Sequence, residues 1–136
     1  MGRINVLKTK EIKNAINENP GKAKDIIDGE QELGICVTDE KGYYTYVNDR
    51  YNEIYGFQPR ELVGNHFTAV VPEDQKKRLQ TAHDMFIDKG YEIVRYWDVK
   101  NKKGENIKIQ AAAAFFDNIF NNKGKGHKVT FVYCDE

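Results

Sequence analysis

Apolar and polar positions along the chain follow a helical period first, then a strand period, then a helical and again a strand period. Over residues 4–28, Leu7, Ile12, Ala15 and Ile16 form a loose helical stripe, interrupted by Asn19-Pro20-Gly21. A further turn or two carries Ile26 and Ile27 and stops at Gly29. The stripe is too narrow to be a core by itself, so it is expected to lie against a sheet or against the same helix of a second copy. From Leu33 the period becomes two: Leu33, Ile35 and Val37 point one way, Gly34, Cys36 and Thr38 the other. Small or apolar residues on both faces predict a central strand covered on both sides.

Asp39-Glu40-Lys41-Gly42 reads as a hairpin turn with glycine at a position needing positive φ, and Tyr43 to Val47 as the returning strand. Asn48 or Asp49 then caps a short helix that Gly56 ends after Tyr55. Pro59 opens a single turn closed by Gly64. Val70-Val71-Pro72-Glu73-Asp74 launches the longest helix, to about Lys89, with the stripe Leu79, Ala82, His83, Phe86 and Ile87. Gln75, Lys76, Lys77 and Arg78 are assigned to its wet face. Three strands complete the pattern, at Tyr91–Val99, Glu105–Phe116 and Lys128–Cys134, and the polar loop from Asp117 to Gly126 is expected to be mobile. The sum is an α+β domain around one antiparallel sheet.

At 136 residues the chain holds one modest core. Its 21 basic and 21 acidic residues cancel, which removes the electrostatic case for nucleic acid or an anionic membrane. Lysines gather at Lys100, Lys102 and Lys103 and at Lys123, Lys125 and Lys128, and both groups are assigned to solvated turns. Cys36 and Cys134 fall in predicted strands without a metal spacing, so buried free thiols of a cytoplasmic protein are expected. No apolar run approaches the length of a membrane span, and no signal-peptide pattern opens the chain. A catalytic reading is poor: there is no serine, and His66, His83 and His127 are scattered over a helix entry, a helix and a loop. The chain is expected not to be an enzyme.

These pieces, taken in order, resemble a PAS domain. The matching residues are Gly34-Ile35-x-Val37-Thr38-Asp39 with Gly42, Tyr46-Val47-Asn48, Tyr55-Gly56-Phe57 and Glu61-Leu62-x-Gly64. Pro72-Glu73-Asp74 and the Lys102-Lys103-Gly104-Glu105 hairpin follow. The resemblance spans residues 31–135 and divides the chain into a helical cap at 1–30 and a PAS domain at 31–136. It implies a five-stranded antiparallel sheet in the order 2-1-5-4-3, helices across its concave face and a flanking N-terminal helix. It also implies a sensory or regulatory role in bacterial-type signal transduction, with a ligand, light or redox state felt in the cup. Asp135-Glu136 falls where a signalling helix follows in that family, so the effector is expected outside this sequence, whether the chain is an excised piece or a stand-alone PAS protein.

Three occupants of the cup suggest themselves. Haem would use His83, although the family's ligand position aligns nearer Leu79, one turn earlier. A covalent flavin is disfavoured, because Gly64-Asn65-His66-Phe67 lacks the thiol that the light-sensing subgroup uses. A non-covalent flavin is weakened by Trp97 lying later than the expected tryptophan. The third occupant is a small metabolite or carboxylate, held by Arg95 and Trp97 if their shared strand face, with Ile93 and Val99, points inward. The outward arrangement, an amphipathic cross-strand ladder, is the preferred one of the two. The candidate cavity is Phe67, Leu79, His83, Phe86, Arg95, Trp97 and Ile109. Ala111 to Ala114 are expected to let a helix dock outside and aromatic side chains fill the space inside. A ligand-free module forming a homodimer through Leu7, Ile12, Ala15 and Ile16 is the alternative.

Overall fold

A computed structural model describes residues 3–89, 95–117, 119–120 and 126–134, the side chains of 87–89 and 95 excepted. Helix α1 spans Val6–Glu18 and α2 Ala23–Asp28, joined by a short 3-10 turn at Pro20–Lys22. Strands β1 (Gly34–Asp39) and β2 (Tyr44–Val47) precede helix α3 (Asp49–Tyr55). After 3-10 turns at Phe67–Val70 and Glu73–Gln75 come α4 (Lys76–Lys89), β3 (Arg95–Lys100), β4 (Asn106–Phe116) and β5 (His127–Tyr133). The sheet has the order β2-β1-β5-β4-β3, with antiparallel partners throughout. The expected fold class and strand order are therefore those observed. Residues 91–94 of the third predicted strand, and 118 and 121–125 of the polar loop, lie outside the described residues.

Alternation sorts the central strands into two faces. Leu33, Ile35 and Val37 join Val129 and Phe131 of β5 and Ala114 and Phe116 of β4 on one side. Cys36 joins Val132, Ile109 and Ala111 on the other. The first face is covered by the N-terminal helices: Ile4, Ile12, Ile16, Ala23 and Ile27 are buried in the same cluster. Each large apolar side chain so withdrawn contributes roughly 1.5–3 kcal/mol. Of the two partners open to the helical stripe, the chain's own sheet takes it. Ile12 and Ile16 are thus buried within the monomer and are not available to a second copy; Ala15 is half-buried and Leu7 stays exposed. Ala112 and Ala114 face these helices, so close docking on the outer alanines is observed.

Local chemistry sets the joints. Asn5 caps α1 by accepting from the Lys8 N–H at 3.0 Å. The Glu30 carboxylate, itself buried, accepts the N–H groups of Glu32 and Leu33 at 2.8 Å each and pairs with Lys8 at 3.0 Å, which fixes the step from α2 into β1. Asn48 caps α3 and does more: its Oδ1 accepts from Ile35 and Tyr51, both at 2.9 Å, and its Nδ2 donates to the carbonyls of Ile27, Glu30 and Leu33. One side chain thereby ties α2, β1 and α3 together. Gly34 permits α3 to lie directly on β1, since a Cβ there would sit 2.9 Å from Tyr51 Cα.

The turn from Pro59 to Gly64 is observed, with Glu61 N–H on Gln58 O; two other expectations need correction. The loop after β4 is not simply a mobile tether, because Ile119 is wholly buried among the outer cluster and the Phe120 N–H donates to Pro20 O. Of the two cysteines only Cys36 is buried; Cys134 is half-exposed.

Candidate functional site

The concave face of the sheet is roofed by α3 and α4, and a cleft remains between α4 and strands β3, β4 and β5. Its outer part encloses about 280 Å³ and is lined by Arg78, Ala82, Met85 and Phe86 of α4 and by Trp97, Ala111, Ala113, Lys128 and Thr130 of the sheet. A deeper part of about 110 Å³ continues inward to Cys36, Tyr44, Tyr51, Phe67, Leu79, His83, Val99 and Ile109. The two share Ala82, Trp97, Ala111, Lys128 and Thr130 as common walls. The space exists because α4 rides over alanines: Ala111 and Ala113 offer only a methyl where a larger inward residue would meet Phe86 or Ala82. The expected aromatic filling of the inner alanine face is therefore not what is found at the outer part.

Of the residues anticipated for the cavity, Phe67, Leu79, His83, Trp97 and Ile109 line the deeper part, and Phe86 and Trp97 the outer. Trp97 and Val99 point inward, which reverses the preferred outward placement of that strand face. The reason is register: Trp97 pairs with Ile109 and Val99 with Ile107, both inward residues of β4, and cross-strand partners share a face. The side chain of Arg95 lies outside the described residues.

Electrostatics distinguish the two ends of the cleft. Deep inside, the Tyr44 and Tyr51 hydroxyls bond each other at 2.7 Å, and burial holds both phenols neutral by raising their pKa. Burial also pushes the Cys36 thiol up to about 11, so it sits there as a thiol and not a thiolate. His83 Nε2 lies 3.0 Å from Glu40 O; a carbonyl only accepts, so Nε2 carries the proton and donates. Burial lowers the His83 pKa, and the ring also rests against Phe67 at 5.3 Å. His83 thus ties α4 to the β1–β2 turn, and the nitrogen that would have to reach a haem iron is already engaged. The residues present do not fit haem ligation through that atom.

Positive charge concentrates at the outer part. Lys128, assigned from the sequence to a solvated turn, is the second residue of the central strand β5 and points into the cleft. Register sets the side: Thr130 and Val132 lie opposite Ala113 and Ala111 of β4, and Lys128, two residues before Thr130, shares their inward face. Burial pushes its ammonium pKa down. Its Nζ lies 5.0 Å from the centroid of Phe86. A cation–π contact of this kind is worth roughly 1–2 kcal/mol, whereas drawing an ammonium out of water costs several kcal/mol when complete. Among the described residues no carboxylate pairs with it. Arg78, expected on the wet face of α4, instead lays its guanidinium over the Trp97 ring at 4.9 Å, at the mouth of the same cleft. Lys128 and Arg78 are the site residues that sequence reasoning missed; the inward alternation of Lys128, Thr130 and Val132 was the available signal.

Comparison with known proteins places this geometry. The profile of the PAS fold family matches residues 44–127. A probable serine/threonine-protein kinase of Dictyostelium discoideum is 30% identical over 90 residues, which are 65% of this chain but 6% of the kinase. The chain therefore spans a small fraction of that relative. A PAS domain from Colwellia psychrerythraea superposes with a TM-score of 0.70 at 13% identity, covering 96% of this chain and 98% of that one. The PAS domain of the quorum-sensing receptor RpfR from Cronobacter turicensis, in complex with BDSF, gives 0.65 at 16% identity over 79% of this chain and 98% of its own. With the sheet order, the roofed concave face and a family match covering more than half its length, this chain belongs to the PAS fold family.

Proposed function

We propose that this chain is a sensory PAS module that takes a small, mainly apolar molecule into the cleft between α4 and the sheet. Binding there is relayed through the sheet to the helices on its far face. The carrying observation is the unfilled cleft over Ala111 and Ala113, continuous with a deeper space walled by Trp97. The likeness in fold to a receptor PAS domain bound to BDSF supports the reading. The route outward is short: Thr130 and Ala111 face the cleft, while their chain neighbours Phe131, Val129 and Ala112 touch the N-terminal helices. The same reading makes the chain a binding module without catalysis of its own. Its test is a thermal-shift panel of small apolar compounds on the wild type and on Ala111→Phe, which fills the shared wall. At least one compound should raise the wild-type melting temperature and leave the folded variant unmoved. Equal shifts in both proteins, or none in the wild type, would reject the cleft as the sensing site.

Homodimerisation through the first helix, the alternative, has a narrower basis than the sequence suggested. With Ile12 and Ile16 used internally, Val6 and Leu7 are the apolar residues of α1 left exposed, at 45% and 68%. A dimer by this route should become monomeric on Leu7→Glu in sedimentation velocity; no change would discard the route.

A further inference from the structure

We infer that the ligand of the cleft is an organic anion, a carboxylate on an apolar body, whose charged head sits against Lys128 with Arg78 at the mouth and whose body extends past Trp97 toward Leu79. The inference rests on the cleft being a ligand site, as proposed above. It is carried by three features of the outer part. Lys128 projects from the central strand into an apolar space, with a phenyl ring as its neighbour and no carboxylate partner among the described residues. A second cation, Arg78, borders the same space. Among the described residues, none that lines either part of the cleft is acidic.

The chemistry selects among ligand classes. A neutral apolar molecule would fill the volume but leave the ammonium of Lys128 farther from water than before, which opposes binding. A cation would add repulsion from two sides. A small inorganic anion would meet the lysine but leave the apolar deeper part unused. A carboxylate on a hydrocarbon body satisfies both ends: a charge-assisted bond to Lys128 at one, burial against Leu79, Val99 and Ile109 at the other. Thr130, beside Lys128 on the same face, offers a hydroxyl to the second carboxylate oxygen. Among the described residues, the titratable groups facing Lys128 do not supply a competing charge. Cys36 is kept as a thiol, and His83 is bound to Glu40 O and held toward its neutral form. The lowered pKa of Lys128 is the cost of the empty state, and an anion reverses it.

The test compares octanoate with 1-octanol, molecules of the same length that differ in the head, by titration calorimetry on wild type, Lys128→Met and Lys128→Arg. Octanoate should bind the wild type about ten- to a hundredfold tighter than octanol, the margin of one charge-assisted bond. Lys128→Met should abolish that preference while leaving octanol affinity within about twofold, and Lys128→Arg should keep it. The empty Met variant should melt no lower than the wild type, because it removes a poorly solvated charge. Below its depressed pKa the lysine's charge penalty is complete, and it fades as pH rises through that pKa, so the Met variant's advantage shrinks with rising pH. Equal binding of octanoate and octanol to the wild type overturns the anion assignment and leaves the cleft reading intact. Binding of neither molecule overturns both. A preference that survives in Lys128→Met, or a clear fall in that variant's empty melting temperature, removes Lys128 as the anion's partner.

Discussion

Asn48 offers the sharpest test of how the layers are joined. Its side chain accepts two hydrogen bonds, shares its two amide protons among three carbonyls, and is 1% exposed. An ordinary N-cap would lose about 1 kcal/mol on replacement by alanine. Here alanine would strand the Ile35 and Tyr51 N–H groups and the Glu30 and Leu33 carbonyls, while Ile27 O keeps the Glu30 N–H, and at about 1 kcal/mol each the loss approaches ~4 kcal/mol. A chain of 136 residues unfolds with an entropy near 0.3 kcal/mol/K, so Asn48→Ala should lower the melting temperature by about 14 °C. Asn48→Asp separates the two roles. Aspartate is an equally good cap, but it would turn a carboxylate oxygen on the carbonyls of Ile27, Glu30 and Leu33, where the amide now donates. Differential scanning calorimetry at neutral pH should find the aspartate variant at least as damaged as the alanine one. An aspartate variant within about 1 kcal/mol of the wild type would reduce Asn48 to a helix cap and refute the three-element tie.

Two further outcomes follow from the core. Removing residues 1–30 strips the cover from Ile35, Val37, Val129 and Phe131, so the truncated protein should bind a hydrophobic dye and aggregate in size-exclusion chromatography; a well-dispersed monomer would show that the outer face needs no cover. Cys36, buried with its pKa raised to about 11, should resist iodoacetamide in the native protein while the half-exposed Cys134 reacts, with the order read by peptide mass spectrometry; faster labelling of Cys36 would contradict its burial.

Much of this architecture was legible in residue order. Leu33 to Thr38 carries small or apolar residues on both faces, which only a strand with cover on each side tolerates, and β1 lies second from an edge with helices on both sides. Gly42 at the hairpin turn has φ of 93°, and its Cβ would meet His66 and Phe67 at 2.8 Å, so the glycine signal reported a real constraint. What stayed hidden was sidedness. Alternation groups Trp97 with Val99 and Lys128 with Thr130, but which group faces the helices depends on register with β4 and β5, a long-range property. The fate of Ile12 and Ile16 was hidden for the same reason, since a stripe does not state whether its partner belongs to the same molecule. Lys128 was misread because a charged residue next to a glycine-rich loop looks like part of that loop. Ile119 was lost in a polar segment whose composition described its neighbours better than itself.

The protein's single tryptophan, Trp97, lies on the wall shared by both parts of the cleft, so its emission reports directly on whether that space is where ligand goes. Titrating octanoate into the wild type should give a saturable change in Trp97 emission together with reduced acrylamide quenching, and Ala111→Phe should abolish both. An emission unchanged while calorimetry registers binding, or a response undiminished in Ala111→Phe, would place the ligand elsewhere and contradict the account.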